Sequence, residues 1–246
     1  MKIFKADLHV HTLLSPCGEL EMSPAEIVKK ASLLGIDILG ITDHNTTKHC
    51  ALVKKLADRV GISILPGAEV TTKEEVHCLT FFRDFDVLAL FQRFLEENLH
   101  SIKNDPTLFG YQVVIDEDEN IIEEIEPLLI SALSVSIEEV EAKVHSLGGI
   151  FIPAHINRNR YSILSQLGFI PKTLKVDALE ISKMTTKEEF LKKNKSLAAY
   201  SFVQNSDAHN LETLGEITTL FQLEEPTFDE IKMALAGLNG RTVVSA

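Results

Sequence analysis

Short strand-like runs alternate with helix-like segments along this chain, and metal-ligand residue types recur where those runs meet loops. They are His9-Val10-His11, Asp43-His44, Glu69, His77, His155 and Asp207-Ala208-His209. The strand-like runs are residues 5–10, 38–42, 62–70, 76–82, 149–154, 176–181, 201–205 and 218–223. Such alternation predicts an α/β fold with a largely parallel sheet, closed or doubly wound. Ligand types just after strands favour the closed form, because a parallel barrel carries its reactive groups on the loops at its strand C-terminal ends. Residues two apart on a strand face one side, so His9 with His11, and Asp207 with His209, can each aim at one point. Imidazole and carboxylate together suit zinc, manganese or iron better than calcium.

The helices carry start signals. Ser23 reads as an N-cap, Pro24 suits the first helical position, Glu26 completes a capping box and Gly35 stops the helix, with Ile27, Ala31 and Leu34 as its apolar stripe. Ser136 with Glu139 and Thr227 with Glu230 repeat the pattern. A further helix is predicted over residues 47–60, with Leu52, Leu56 and Val60 turned inward. Residues 83–133 break the alternation and read as an insertion: a helix bearing Phe85, Leu88, Phe91 and Leu95, then a hairpin or second helix around the acidic turn 116–120.

At 246 residues and 45% hydrophobic content the chain can bury one substantial core, so a single domain over residues 1–246 is expected. With 24 basic and 36 acidic residues the net charge is -12, which argues against stable binding of long nucleic acid or an anionic membrane through a broad basic surface. A small phosphorylated substrate, such as a nucleotide, remains compatible with a local cationic site. Three cysteines without CxxC spacing predict neither a disulfide framework nor a zinc ribbon and fit a reducing cytoplasm. Charge within the first few residues argues against a signal peptide, and no apolar run approaches the roughly 20 residues of a membrane helix.

Asp7-Leu8-His9-Val10-His11-Thr12, Ile41-Thr42-Asp43-His44-Asn45, Pro66-Gly67-Ala68-Glu69-Val70, Pro153-Ala154-His155 and Ser206-Asp207-Ala208-His209 together resemble, in this order, the motifs of the PHP (polymerase and histidinol phosphatase) family. The resemblance implies a distorted (β/α)7 TIM-like barrel and a trinuclear centre that hydrolyses phosphate esters. By motif it implies His9, His11, Glu69 and Asp207 on one ion and His44 with His209 on a second. Glu69 would bridge to a third ion held by His77 and His155, although an ordinary buried strand histidine is the competing reading of His77. Asp43 is expected to orient His44 or accept a hydrogen bond, or to donate a proton to the leaving group. Family members place a His or Asp in the loop after the first motif; here Cys17 stands nearest that place and is a candidate ligand.

Arg158 and Arg160 follow His155 directly and are candidates to clamp phosphate oxygens, with Arg158 also a candidate catalytic residue; Lys183 is a third cation expected at the mouth. His49, His100 and His145 are expected on exposed helix surfaces, Cys50 and Cys78 in the core. There is neither a GxSxG elbow nor a GxxxxGK[ST] loop. The expected activity is hydrolysis of a small phosphomonoester or nucleotide by hydroxide activated on two or three divalent ions. The alternatives are an amidohydrolase-like carbon–nitrogen hydrolase and a metal-stabilised accessory domain without activity.

Overall fold

The strand-like runs become the strands of a curled sheet in a computed structural model, which describes residues 1–245. In chain order the elements are β1 (Lys2–Val10), α1 (Pro24–Leu33), β2 (Ile38–Ile41), α2 (Cys50–Asp58), β3 (Ser63–Thr71), β4 (His77–Phe81), α3 (Phe85–Asn98), α4 (Pro106–Phe109), β5 (Val113–Ile115) and β6 (Ile121–Glu124). There follow α5 (Ile137–Ser146), β7 (Ile150–Pro153), α6 (Ile163–Leu167), β8 (Leu179–Glu180), α7 (Lys187–Lys193), β9 (Phe202–Val203), β10 (Thr219–Leu223), α8 (Phe228–Leu235) and β11 (Thr242–Ser245).

Seven strands form one sheet in the order β11-β10-β1-β2-β3-β4-β7. Only β1–β2 and β2–β3 pair in parallel; β1–β10, β10–β11, β3–β4 and β4–β7 are antiparallel, which corrects the expectation of a largely parallel sheet. The reason is connection length. Residues 72–76 join β3 to β4 by a tight turn in which the Thr72 N–H donates to the Val76 carbonyl (2.9 Å), whereas a parallel crossover needs about a dozen residues or more. The short parallel pair β8–β9 fills the gap beyond β7. The Asp177 N–H donates to the Phe151 carbonyl (3.0 Å) on one side, and the Gln204 N–H to Thr219 Oγ1 (2.9 Å) on the other. The curl is thus the distorted barrel expected, closed on one side by antiparallel pairing.

Alternation along the strands divides the core in two. Cys78 and Phe151 belong to the cluster packed under α1, α2, α3 and α5, while their neighbours Leu79 and Ile152 join Leu8, Leu65, Phe81 and the apolar face of α8. Cys50 and Cys78 are buried, as expected. Ser136 and Glu139 form a reciprocal capping box. Glu26 does not: Ser23 accepts the Glu26 N–H, but the Glu26 carboxylate pairs with Lys29 (2.9 Å) instead of turning back. Helix α2 begins three residues later than expected and buries Cys50, Val53 and Ala57, leaving Val60 49% exposed, because its apolar stripe lies one position later than Leu52 and Leu56 suggest.

The insertion is a helix followed by a hairpin. Leu88, Phe91 and Leu95 of α3 are buried, and the β5–β6 hairpin sits over the loop that follows β1: Val113 and Ile115 pack on Leu13, and Val114 packs on Leu14 and Leu129. Asn45, held at φ 48°, staples it further by donating to the carbonyls of Leu129 (2.7 Å) and Ser131 (2.8 Å) while accepting the Thr71 N–H (3.0 Å). Among the described residues, no helix is long and apolar enough to cross a membrane.

Candidate metal centre

Strand β1 delivers His9 and His11, both fully buried, to the barrel mouth. Their Nε2 atoms lie 3.1 Å apart. Glu69 on β3 faces them and forms the hub: its oxygens lie 3.3 Å from His9 Nε2, 3.4 Å from His11 Nε2, 3.1 Å from His44 Nδ1, 3.0 Å from His77 Nδ1 and 3.2 Å from His155 Nε2. Asp207 Oδ1 closes the other side at 3.3 Å from His9 Nε2 and 3.5 Å from His11 Nε2. The backbone aligns these groups, since His44 bridges to Glu69 and Val10 to Ala208 as isolated parallel bridges. Asp207 (φ 52°) and His155 (φ 29°) have left-handed backbones, a strain of about 1–3 kcal/mol each that collects at functional loops.

Three ligand-sized groups result: His9, His11 and Glu69; His11, His44 and His209; and His44, Glu69 and His77. His155 joins through Glu69, and Asp207 through His9 and His11. None of the three groups contains Cys17. That residue lies exposed at the rim, its thiol pushed up to about 12 by partial burial and by Glu69, Asp207 and Asp43.

The surroundings settle which nitrogen faces inward. His9 Nδ1 lies 3.1 Å from both oxygens of Glu180, so it donates there and turns the Nε2 lone pair to the cluster. His209 Nδ1 donates to the Asp207 carbonyl (3.0 Å), and His11 Nδ1 donates to Ser15 Oγ (3.0 Å). Outer hydrogen bonds of this kind fix tautomer and orientation in metal sites. Glu180 is the functional residue that motif reading misses. It also accepts the His155 N–H (2.9 Å) and Asn205 Nδ2 (2.8 Å), and the only hint in the sequence is one acid inside the apolar run 178–181.

Electrostatics point the same way. Burial would raise Glu69, but His77, His9 and His44 hold it well below the ordinary carboxylate range. Asp207 is likewise held low, against burial, by His9 and His11. Burial would lower His9, but Glu180, Asp207 and Glu69 overcome it and hold the ring well above its usual value. His44 and His209 are lowered by burial and by neighbouring imidazoles, His209 to about 4. Asp7, buried behind the cluster, is raised to about 6 by burial despite accepting the N–H groups of Ser206 (3.0 Å) and Gly215 (3.0 Å). Burying charges costs several kcal/mol per ion, so a dense cluster of acids and imidazoles is a poor way to stabilise a fold and a good way to bind cations. His77 Nε2 and His155 Nδ1 are buried without a hydrogen-bond partner, spare donor atoms that fit a divalent ion.

Asp43 lies beneath the cluster. One oxygen accepts the Thr12 N–H (2.7 Å) and the Ser15 hydroxyl (2.7 Å), the other the Thr12 hydroxyl (2.8 Å), so it acts on His11 through Ser15 and makes no bond to the His44 ring. Arg158 reaches the mouth and pairs with Asp207 Oδ2 (2.6 Å). Arg158 and Arg160 line a cavity of about 370 Å³ with His77, His155, Tyr161 and Met184, and the Tyr161 ring stacks on His77 with centroids 4.7 Å apart. Lys183 instead pairs with Glu216 and does not line that cavity. Of the three histidines expected on the surface, only His100 is exposed. His145 is half-buried between Glu141 and Asp177, and His49 is buried.

The PHP domain matches residues 7–221, which include every residue of this cluster. The chain belongs to the PHP domain family. A Bacillus subtilis protein, YqxK, whose role is uncharacterized, is 24% identical over the whole chain, which spans 65% of that protein's length. The lesion-specific endonuclease PfuEndoQ from Pyrococcus furiosus superposes with a TM-score of 0.74 at 21% identity, over 98% of this chain and 58% of that one. Endonuclease Q in complex with a 27-mer duplex carrying an abasic lesion at its active site superposes with a TM-score of 0.69 at 22% identity, with the same coverage. PHP membership, with the buried imidazole–carboxylate cluster, supports a metal-dependent hydrolase.

Proposed function

We propose that the chain hydrolyses phosphate esters with two or three divalent ions at this cluster, and that its substrate is a nucleic-acid phosphodiester rather than a small phosphomonoester. The observation that carries the reading is the hub itself: one carboxylate within 3.4 Å of five imidazoles, several with their tautomers set by outer partners. When bound, the ions supply Lewis acidity at the phosphoryl oxygens and an acidified water. His9, His11, Glu69 and Asp207 would hold one ion, His44 and His209 a second, and His77 with His155 and Glu69 a third. Arg158, held beside the ligands by Asp207, orients the phosphoryl group. Asp43 positions His11 and His44 through Ser15 in preference to moving a proton, because both its oxygens are engaged.

The extended substrate is supported by the shape of the mouth. The 370 Å³ cavity shares Asn157, Arg158, Asn159 and Met184 with a larger one of about 740 Å³, which runs along α7 to Lys192, Lys193 and Asn194. This path is longer than one phosphate needs and locally cationic despite the net charge of -12. Endonuclease Q, whose fold this chain shares, is bound to a DNA duplex in its complex, which supports a nucleic-acid substrate here.

Protein stripped with a chelator and reloaded with zinc, manganese or iron is expected to cleave an end-labelled oligonucleotide and an aryl phosphodiester, and to lose both activities on renewed chelation. Faster hydrolysis of an aryl phosphomonoester than of any oligonucleotide would overturn the diester assignment. Inactivity on all three with every metal would sink the phosphoesterase reading. Lys192→Glu with Lys193→Glu is expected to raise KM for a long oligonucleotide about tenfold relative to KM for the aryl diester, with the gap closing as salt rises, since two strand contacts are lost. An unchanged KM ratio would remove the strand from this groove.

A further inference from the structure

His49 carries neither a metal-ligand motif nor surface exposure, yet both its ring nitrogens are committed. It stands at the N-cap of α2 and is 1% exposed. The Ile115 N–H of the inserted hairpin donates to His49 Nε2 (3.1 Å), which makes Nε2 an acceptor and places the proton of the neutral ring on Nδ1. Nδ1 then donates to Thr12 Oγ1 (2.7 Å), and the Thr12 hydroxyl donates to Asp43 Oδ2 (2.8 Å). On the far side of the same carboxylate, the Ser15 hydroxyl donates to Asp43 Oδ1 (2.7 Å), so the Ser15 oxygen is free to accept from His11 Nδ1 (3.0 Å) and from the His44 N–H (3.2 Å). The path has two arms, and the donors of both converge on the Asp43 carboxylate. It begins at the hairpin backbone and ends at two members of the His11, His44 and His209 group.

We propose that His49 is a positioning residue that couples the seating of the inserted hairpin to the orientation of His11 and His44, and so to retention of the ions those residues would hold. The inference rests on the metal-centre reading and adds to it a role for residues 83–133. The hairpin is independently seated on this loop: Val113 and Ile115 pack on Leu13, directly after Thr12, and Val114 packs on Leu14. A purely apolar contact would hold the loop in place but would not position the Asp43 carboxylate; the polar path does, and Asp43 acting through Ser15 orients His11 and selects its tautomer. Because coupling is reciprocal, ions bound at His11 and at His44 would also favour the seated hairpin.

The two ends of the His49 ring can be removed separately. An asparagine amide overlays Nδ1 and keeps the donor to Thr12; a glutamine amide overlays Nε2 and keeps the acceptor for Ile115. Metal-stripped wild type, His49→Ala, His49→Asn and His49→Gln are titrated calorimetrically with zinc, and exchange of the Ile115 amide is followed with and without the metal. Outer-sphere partners of metal ligands are worth about 10–100-fold in affinity. His49→Ala and His49→Gln are therefore expected to weaken one zinc site by that factor, while His49→Asn restores most of the affinity. In wild type, zinc is expected to slow exchange at Ile115; in His49→Asn that response is lost although zinc still binds. Equal impairment of Asn and Gln variants would reduce His49 to a packing residue and overturn the inference, as would an alanine variant that binds zinc like wild type, or a wild-type Ile115 amide indifferent to zinc. Wild-type protein that binds no zinc, manganese or iron overturns the metal-centre reading first, and this inference with it.

Discussion

Glu69→Gln is expected to abolish hydrolysis and release the bound ions while leaving the fold intact. The glutamine keeps the volume of the side chain but removes the charge that five imidazoles share at 3.0–3.4 Å. Outer-shell partners cost about 10–100-fold, and a ligand common to several ions should exceed that range in both affinity and turnover. Metal content measured after dialysis, with circular dichroism to confirm folding, separates lost binding from lost structure. A variant that keeps its full metal complement and activity would show that Glu69 only balances charge.

Gly67→Ala is expected to have the largest effect on stability. A Cβ at Gly67 would lie 1.9 Å from the Thr80 carbonyl oxygen and 2.8 Å from Phe81 Cδ1, so β3 and β4 would have to part. No rotamer relieves a clash with backbone, and destabilisation beyond about 3 kcal/mol is expected, at the upper end of overpacking costs. The same pairing aligns Glu69 with Leu79 and Thr71 with His77, so metal affinity should fall together with the urea midpoint. Gly148→Ala makes the control: it meets open space at φ +74°, and only the left-handed backbone cost of about 1–2 kcal/mol applies. Equal midpoints for the two variants would refute the steric account.

The candidate ligands other than His77 are legible in sequence because each sits in a short motif, and a strand end exposes its residues to one shared point. Glu180 is not, since it carries no motif, and its meaning comes from His9 and His155, which are remote along the chain and meet it only in the fold. His49 looks like a helix-surface residue until the hairpin covers it, a contact that no local pattern encodes. The strand runs themselves are recovered almost whole. Their directions are not, because periodicity reports burial and not polarity; the tight 72–76 turn is the one local clue that β3 and β4 run antiparallel. Cys17 and Lys183 show the converse limit. Cys17 follows a motif and Lys183 follows a strand-like run, but Cys17 stays outside the three groups and Lys183 is taken up by Glu216.

The first strand is also among the last to be completed. β1 lies between β2 and β10, the Leu8 N–H donates to Asn205 Oδ1 (2.9 Å), and the His11 N–H donates to the Ala208 carbonyl (3.0 Å). On a ribosome adding about 5–20 residues per second, the N-terminal histidines therefore wait about 10–40 s for these partners. During that interval His9, His11 and His44 have neither Asp207 nor His209 beside them. By the Irving–Williams order, imidazoles without their carboxylate partners would favour copper and zinc over manganese and iron. The candidate site is thus assembled from both ends of the described residues, and its full set of imidazoles and carboxylates comes together only once residues 205–209 have joined β1.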